Sequence, residues 1–125
     1  MRYYTKEHEW IEGPDENTQY KVGVSDFAQS QLGDIVFVEF ASENNSYIEK
    51  DGYFGNIEAV KTVSELFSPV SGTIVDFNDK IEDSPELVND SPELDGWLIT
   101  LDIEDPNDLN DLMNLEEYKH YTAND

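Results

Sequence analysis

The sequence predicts a mainly β fold of antiparallel sheets, with a short helix after the second strand and a helical carboxy-terminal tail. Three observations carry this prediction. Short strand-like runs separated by turn residues fill most of the chain. β-branched and aromatic residues dominate those runs. Near residue 105 the apolar spacing changes to that of a helix.

The first strand is Glu9-Trp10-Ile11-Glu12, and the turn residues Gly13, Pro14, Asp15, Glu16 and Asn17 reverse the chain after it. Gln19-Tyr20-Lys21-Val22-Gly23-Val24 returns as its hairpin partner. Ser25 offers the side chain of a helix N-cap, so a helix follows over 26–32, with Phe27, Ala28 and Leu32 inward, Gln29 and Gln31 wet, and Gly33 as the stop. Ile35 to Phe40 is the strongest strand, and its Phe37 is placed in the core together with Trp97. The polar stretch from Ala41 to Asp51 reads as a loop. Tyr53 to Ile57 and Val63 to Phe67 are strands flanking a turn at Lys61, and Ser68-Pro69-Val70-Ser71-Gly72 turns the chain again before a strand from Thr73 to Phe77. Two Ser-Pro-Glu-Leu segments, at Ser84 and Ser91, each predict a single helical turn. Trp97 to Ile103 alternates and closes the sheet. Asp105 with Pro106 starts a first tail helix, Asn114 with Glu117 three residues later starts a second, and Tyr118 and Tyr121 pin the tail to the sheet.

At 125 residues the chain suits one domain with its own core, so residues 1–125 are read as a single unit with a helical tail from about 105. Seven basic residues face 29 acidic ones, a formal net charge of -22, which argues against nucleic acid and anionic membranes and favours partners with basic faces. The absence of cysteine excludes disulfides, thiolate zinc sites and a Cys nucleophile. No apolar run approaches a membrane span and Met1 to Lys6 lacks the apolar stretch of a signal peptide, so a cytoplasmic protein is expected. His8 and His120, the two histidines, have no metal-ligand neighbours at a suitable spacing, and no metal site is expected.

Lys61 is the candidate site. A lysine at the tip of a protruding hairpin is poorly placed for catalysis and well placed for acylation by another enzyme. Amide formation there removes a charge and adds a long arm.

At this point the residues define a resemblance. His8-Glu9-Trp10, the stretch from Val22 through Gln29 and on from Leu32 to Glu39, Glu58-Ala59-Val60-Lys61, Ser68 to Gly72, and Pro85-Glu86-Leu87-Val88-Asn89 ahead of Gly96-Trp97 together resemble the glycine cleavage system H proteins, in the same order over nearly the whole chain. The resemblance implies a barrel-sandwich hybrid in which Lys61, at its hairpin tip, carries lipoate through an amide bond. It also implies a non-catalytic carrier of the aminomethyl group. Glycine decarboxylase would load it, a tetrahydrofolate-dependent aminomethyltransferase would unload it, dihydrolipoamide dehydrogenase would reoxidise it, and a lipoate ligase or a lipoyl/octanoyl transferase would attach the cofactor. Lipoate brings its own dithiol, which fits a chain without cysteine. In the family the glutamate of His-Glu-Trp, here Glu9, lies in the cleft where the loaded arm docks, with the acidic residue four places after the lysine, here Glu65, nearby. Carboxylates in a water-poor cleft would hold the charged amine and slow ammonia loss.

Two alternatives stay open. An H-like relay or interaction module would pass lipoate to other complexes, and a biotinyl carrier would share the hairpin lysine. Biotin sites typically flank the lysine with methionine, whereas Val60 and Thr62 stand here. An independent enzyme ranks below both, since no nucleophile with a base, phosphate loop or metal cluster is visible.

Overall fold

The computed structural model describes residues 1–123; the last two residues of the expected domain lie outside the described residues. Nine strands form two antiparallel sheets among these residues. The chain runs β1 (Arg2–Tyr4), β2 (Glu9–Glu12), β3 (Tyr20–Val24), α1 (Asp26–Leu32), β4 (Ile35–Phe40), β5 (Tyr47–Ile48), β6 (Tyr53–Ala59), β7 (Val63–Phe67), β8 (Gly72–Phe77), α2 (Asp79–Asp83), α3 (Leu87–Asp90) and β9 (Ile99–Ile103). A 3-10 helix (Pro106–Asp111) and α4 (Leu115–Ala123) complete it. The larger sheet has the order β1-β2-β3-β9-β8-β5 and the smaller one β4-β6-β7. No helix of the described residues is long and apolar enough to cross a membrane.

One core joins the sheets. Ile11, Val22, Ile74, Ile99 and Leu101 from the larger sheet meet Ile35, Val38, Phe54, Ile57 and Leu66 from the smaller, all buried. β2 is buried on both faces. Ile11 points between the sheets, while Trp10 points outward under a second cluster formed with Tyr4 of β1 and Tyr118 of α4. Gly23, opposite Trp10 in the ladder, makes this possible, because a Cβ there would stand 2.8 Å from the indole ring. The Trp10 indole N–H donates to the carbonyls of Val24 and Pro92, so the segment before β9 is drawn over the same ring.

Several elements match their sequence signals closely. Ser25 Oγ accepts from the Ala28 N–H at 3.1 Å, and α1 occupies the expected span. At the tail, Asn114 and Glu117 form a reciprocal capping box, each side chain accepting from the other's backbone N–H. Tyr118 stacks on Tyr4 with ring centroids 4.3 Å apart, and the Tyr121 hydroxyl donates to the Lys6 carbonyl.

Others differ. Phe37 is exposed rather than in the core, because a bulge inserts Val36 between the Ile35 and Phe37 pairings and turns both Val36 and Phe37 to solvent. Trp97 lies before β9 rather than in it, half-buried beneath the Lys21 ammonium at 5.3 Å. β9 does not alternate: Ile99, Thr100 and Leu101 are all buried. Two short strands were not anticipated. β1 shifts the helix expected after the second strand to a place after the third, and β5 interrupts the expected 41–51 loop. Of the two Ser-Pro-Glu-Leu segments, the first leads into α3 and the second makes only turns.

Candidate functional site

β6 and β7 form the hairpin that carries Lys61. The ladder runs up to the Glu58–Val63 pair, and the Ala59 N–H closes the turn by donating to the Thr62 carbonyl at 2.8 Å. A side brace adds to this, since the Val60 N–H donates to the Asp34 carbonyl ahead of β4 at 3.0 Å. Lys61 is exposed at the tip, between Val60 and Val63, which are 69% and 60% exposed. The amine thus stands on a hydrogen-bonded platform with two apolar side chains beside it.

Next to the hairpin lies a cleft of about 420 Å³, lined by Glu7, His8, Phe27, Ala28, Gln31, Leu32 and Ser64. Three elements build it. α1 supplies Phe27, Ala28, Gln31 and Leu32, whose spacing puts them on one helix face. The turn before β2 supplies Glu7 and His8. It is tightened by the Glu7 and Glu9 N–H groups donating to Thr5 Oγ1, and it holds His8 at a left-handed φ of 70°. β7 supplies Ser64, the second residue of the strand and three residues on from Lys61. The lining mixes apolar Phe27, Ala28 and Leu32 with polar Glu7, His8, Gln31 and Ser64, which suits an aliphatic chain with a polar end.

Glu9 lies on the Ile11 face of β2, directed between the sheets, and is 3% exposed. Its Oε2 accepts from the Phe67 N–H at 2.9 Å and its Oε1 from the Thr5 hydroxyl at 3.3 Å. These two bonds favour the charged form, but burial outweighs them and, helped by the nearby Glu7 and Asp51, pushes the carboxyl up to about 8. Glu65 is exposed on β7, paired in register with Asn56, on the face of the strand opposite Ser64. The structure therefore places Glu9 beneath the turn that forms one cleft wall and Glu65 at the outside of the hairpin. His8, Phe27, Gln31 and Ser64 were not singled out as lining from the sequence. The one-face spacing of residues 27, 28, 31 and 32 was the available signal, although it also fits simple core packing.

A rigid β scaffold that presents one exposed lysine beside a half-apolar cleft defines a carrier domain for a tethered group. The family model described as Glycine cleavage H-protein matches residues 2–125, and this chain belongs to that family. It is 47% identical over 122 residues to a glycine cleavage system H protein of Bacillus pumilus, covering 98% of this chain and 94% of that protein. To one of Salinibacter ruber it is 48% identical over 120 residues, covering 96% and 94%. The crystal structure of a glycine cleavage system H protein from Mycobacterium marinum superposes with a TM-score of 0.84 at 30% identity, covering 98% of this chain and 96% of that one.

Proposed function

We propose that this chain is the lipoyl carrier of a glycine cleavage system, a non-catalytic subunit with Lys61 as the attachment point. The observation that carries the reading is the exposed Lys61 amine on a braced hairpin tip, in a chain matching the H-protein family over residues 2–125. The residues suit the group. Lys61 offers an accessible amine, Val60 and Val63 give a modifying ligase or transferase an apolar foothold, and Phe27, Ala28 and Leu32 offer the aliphatic arm apolar contacts. When attached, lipoate would supply the redox-active sulfur pair that takes up the aminomethyl group.

The chain's own task is presentation and shielding. Glycine decarboxylase is the proposed donor, the tetrahydrofolate-dependent aminomethyltransferase the acceptor, and dihydrolipoamide dehydrogenase the oxidant. Tethering raises the effective concentration of the cargo at each of their sites. Glu9 is the proposed shield. Burial raises its pKa, and a cationic amine docked in the cleft above it would lower that pKa again, so that Glu9 releases its proton to solvent and the carboxylate left behind attracts the amine through the turn that separates them. Glu65, exposed on the face of β7 away from the cleft, is a proposed docking carboxylate only for an arm lying along the outside of the hairpin. Residues 1–125 form one proposed carrier domain with the tail from about 105 included, supported by the Tyr4–Met113 bridge and by the Lys50–Asp111 ion pair at 2.8 Å.

Intact-mass analysis tests the reading. Incubation with lipoate ligase should add one lipoyl amide, mapped to Lys61, and Lys61→Arg should add none. A biotinyl adduct would replace the reading with the biotin carrier. A lipoylated chain that never accepts aminomethyl from glycine decarboxylase would replace it with the relay.

A further inference from the structure

The bulge in β4 gives the smaller sheet an apolar outer face beside the Lys61 hairpin. Phe37 pairs with Glu58 and Glu58 with Val63, and partners in a ladder point to the same side, so these three form one row across β4, β6 and β7. Phe37 and Val63 are exposed, which makes that side the solvent side. Val36, turned out by the same bulge, and Val60 at the tip add two more exposed apolar side chains. Ser64 follows Val63, faces the opposite way and lines the cleft. The hairpin therefore has two distinct sides, one toward the cleft and one bearing Phe37 and Val63.

Phe37 also lines a second groove, of about 270 Å³, between β4 and α2. Phe40 and Phe77 line it too, with ring centroids 4.7 Å apart, and Glu39, Asp79 and Glu82 supply carboxylates around these rings. All three acids are exposed, and among the described residues none of their side chains takes part in a hydrogen bond or ion pair. No basic side chain of the described residues lines the groove; Lys80, next to Asp79 on α2, is outside it. Apolar surface ringed by charge of one sign marks a site for a partner rather than a packing remnant. A second copy of this chain would bring the same carboxylates and a net charge of -22 against them. The occupant that fits has the opposite sign.

We propose that this outer face, from Val60 and Val63 across Phe37 to the groove, is the docking face for the donor enzyme, glycine decarboxylase, which meets it with an apolar side chain ringed by lysine and arginine. This rests on the carrier reading. The docked enzyme grips the hairpin from the side away from the cleft, so the arm stays free to leave the cleft while the two proteins are joined.

The KM of glycine decarboxylase for the lipoylated chain, at fixed salt, tests the proposal. Phe37→Ser and Glu39→Lys should each raise it about tenfold, as expected when a central aromatic or an opposed charge of an interface is lost. Phe37 is 43% exposed and Glu39 is exposed as well, so neither substitution opens the core. Glu16→Lys alters the net charge as much as Glu39→Lys does but lies in the exposed turn between β2 and β3, and it should raise KM less than about twofold. Equal increases for Glu16→Lys and Glu39→Lys would reduce the effect to net charge and overturn the docking face, and so would a wild-type KM in both groove variants. A wild-type dimer in sedimentation that Phe37→Ser dissolves would overturn it in favour of a second copy. A lipoylated wild type that takes up no aminomethyl at any concentration would overturn the carrier reading and, with it, the proposal.

Discussion

The Phe67 backbone N–H donates to Glu9 Oε2 at 2.9 Å, across a sequence separation of 58 residues. Glu9 belongs to the larger sheet and Phe67 to the smaller, so this bond joins the two layers at the edge of their shared core. A carboxyl is an uncommon choice for such a seam, and its burial sets up a pH dependence.

Glu9 is held at about 8 in the folded chain against 4.5 when exposed. Between those values the folded state binds a proton that the unfolded state releases, so stability falls as pH rises through the window and levels off above about 8. Glu9→Gln keeps an acceptor for Phe67 and removes the titration. In urea unfolding, its stability relative to wild type should therefore climb between pH 5 and 8.5, by on the order of a few kcal/mol. A constant difference across that range would contradict the assignment.

Glu93 gathers three donors: Arg2 Nη1 at 2.7 Å and the Tyr4 hydroxyl at 2.8 Å on Oε1, and the Asp26 N–H at 2.9 Å on Oε2. Arg2 lies over the Trp10 ring at 4.8 Å, so the carboxylate holds β1 against the loop before β9. Glu93→Ala should cost about 2 kcal/mol, more than an ordinary surface ion pair, because the Tyr4 hydroxyl and the Asp26 N–H lose their acceptor together with one of the two carboxylates of Arg2, which keeps Glu12 at 2.9 Å. Chemical denaturation of the two proteins gives the comparison.

A Cβ at Gly55 would run into the Glu39 carbonyl where β6 meets β4. The obstacle is backbone and cannot swing aside. Gly55→Ala should destabilise by more than about 2 kcal/mol, and by distorting the hairpin root it should slow lipoylation of Lys61 by the ligase. Mass spectra taken over time would reveal modification at the wild-type rate if the hairpin were indifferent to its root.

The charge of -22 should steer the chain toward enzymes with basic entrances. Its association rate with glycine decarboxylase should fall as sodium chloride rises from about 20 to 300 mM, as exposed charges are screened. An unchanged stopped-flow rate would remove any role for the acidity in the encounter.

Local chemistry was legible in the sequence where one signal acted alone. The Ser25 cap, the Asn114–Glu117 box and the Lys61 turn each rest on residues a few positions apart. Phe37 was misplaced because composition marks an apolar strand but not the bulge that rotates it. β1 and β5 escaped notice because strands of three and two residues have too little pattern, and they exist through partners far along the chain. The cleft escaped for the same reason. His8, Gln31 and Ser64 come from a turn, a helix and a strand, and only the packing of the two sheets puts them on one surface.

The brace between Val60 and Asp34 has a consequence for reach. A hairpin anchored from the side cannot wave, so the sphere a cargo can sweep is set by the length of the lysine and whatever is joined to it. Client enzymes must then come within one such radius of a fixed point. Lengthening or shortening the tether, rather than loosening the protein, should decide which of them are served.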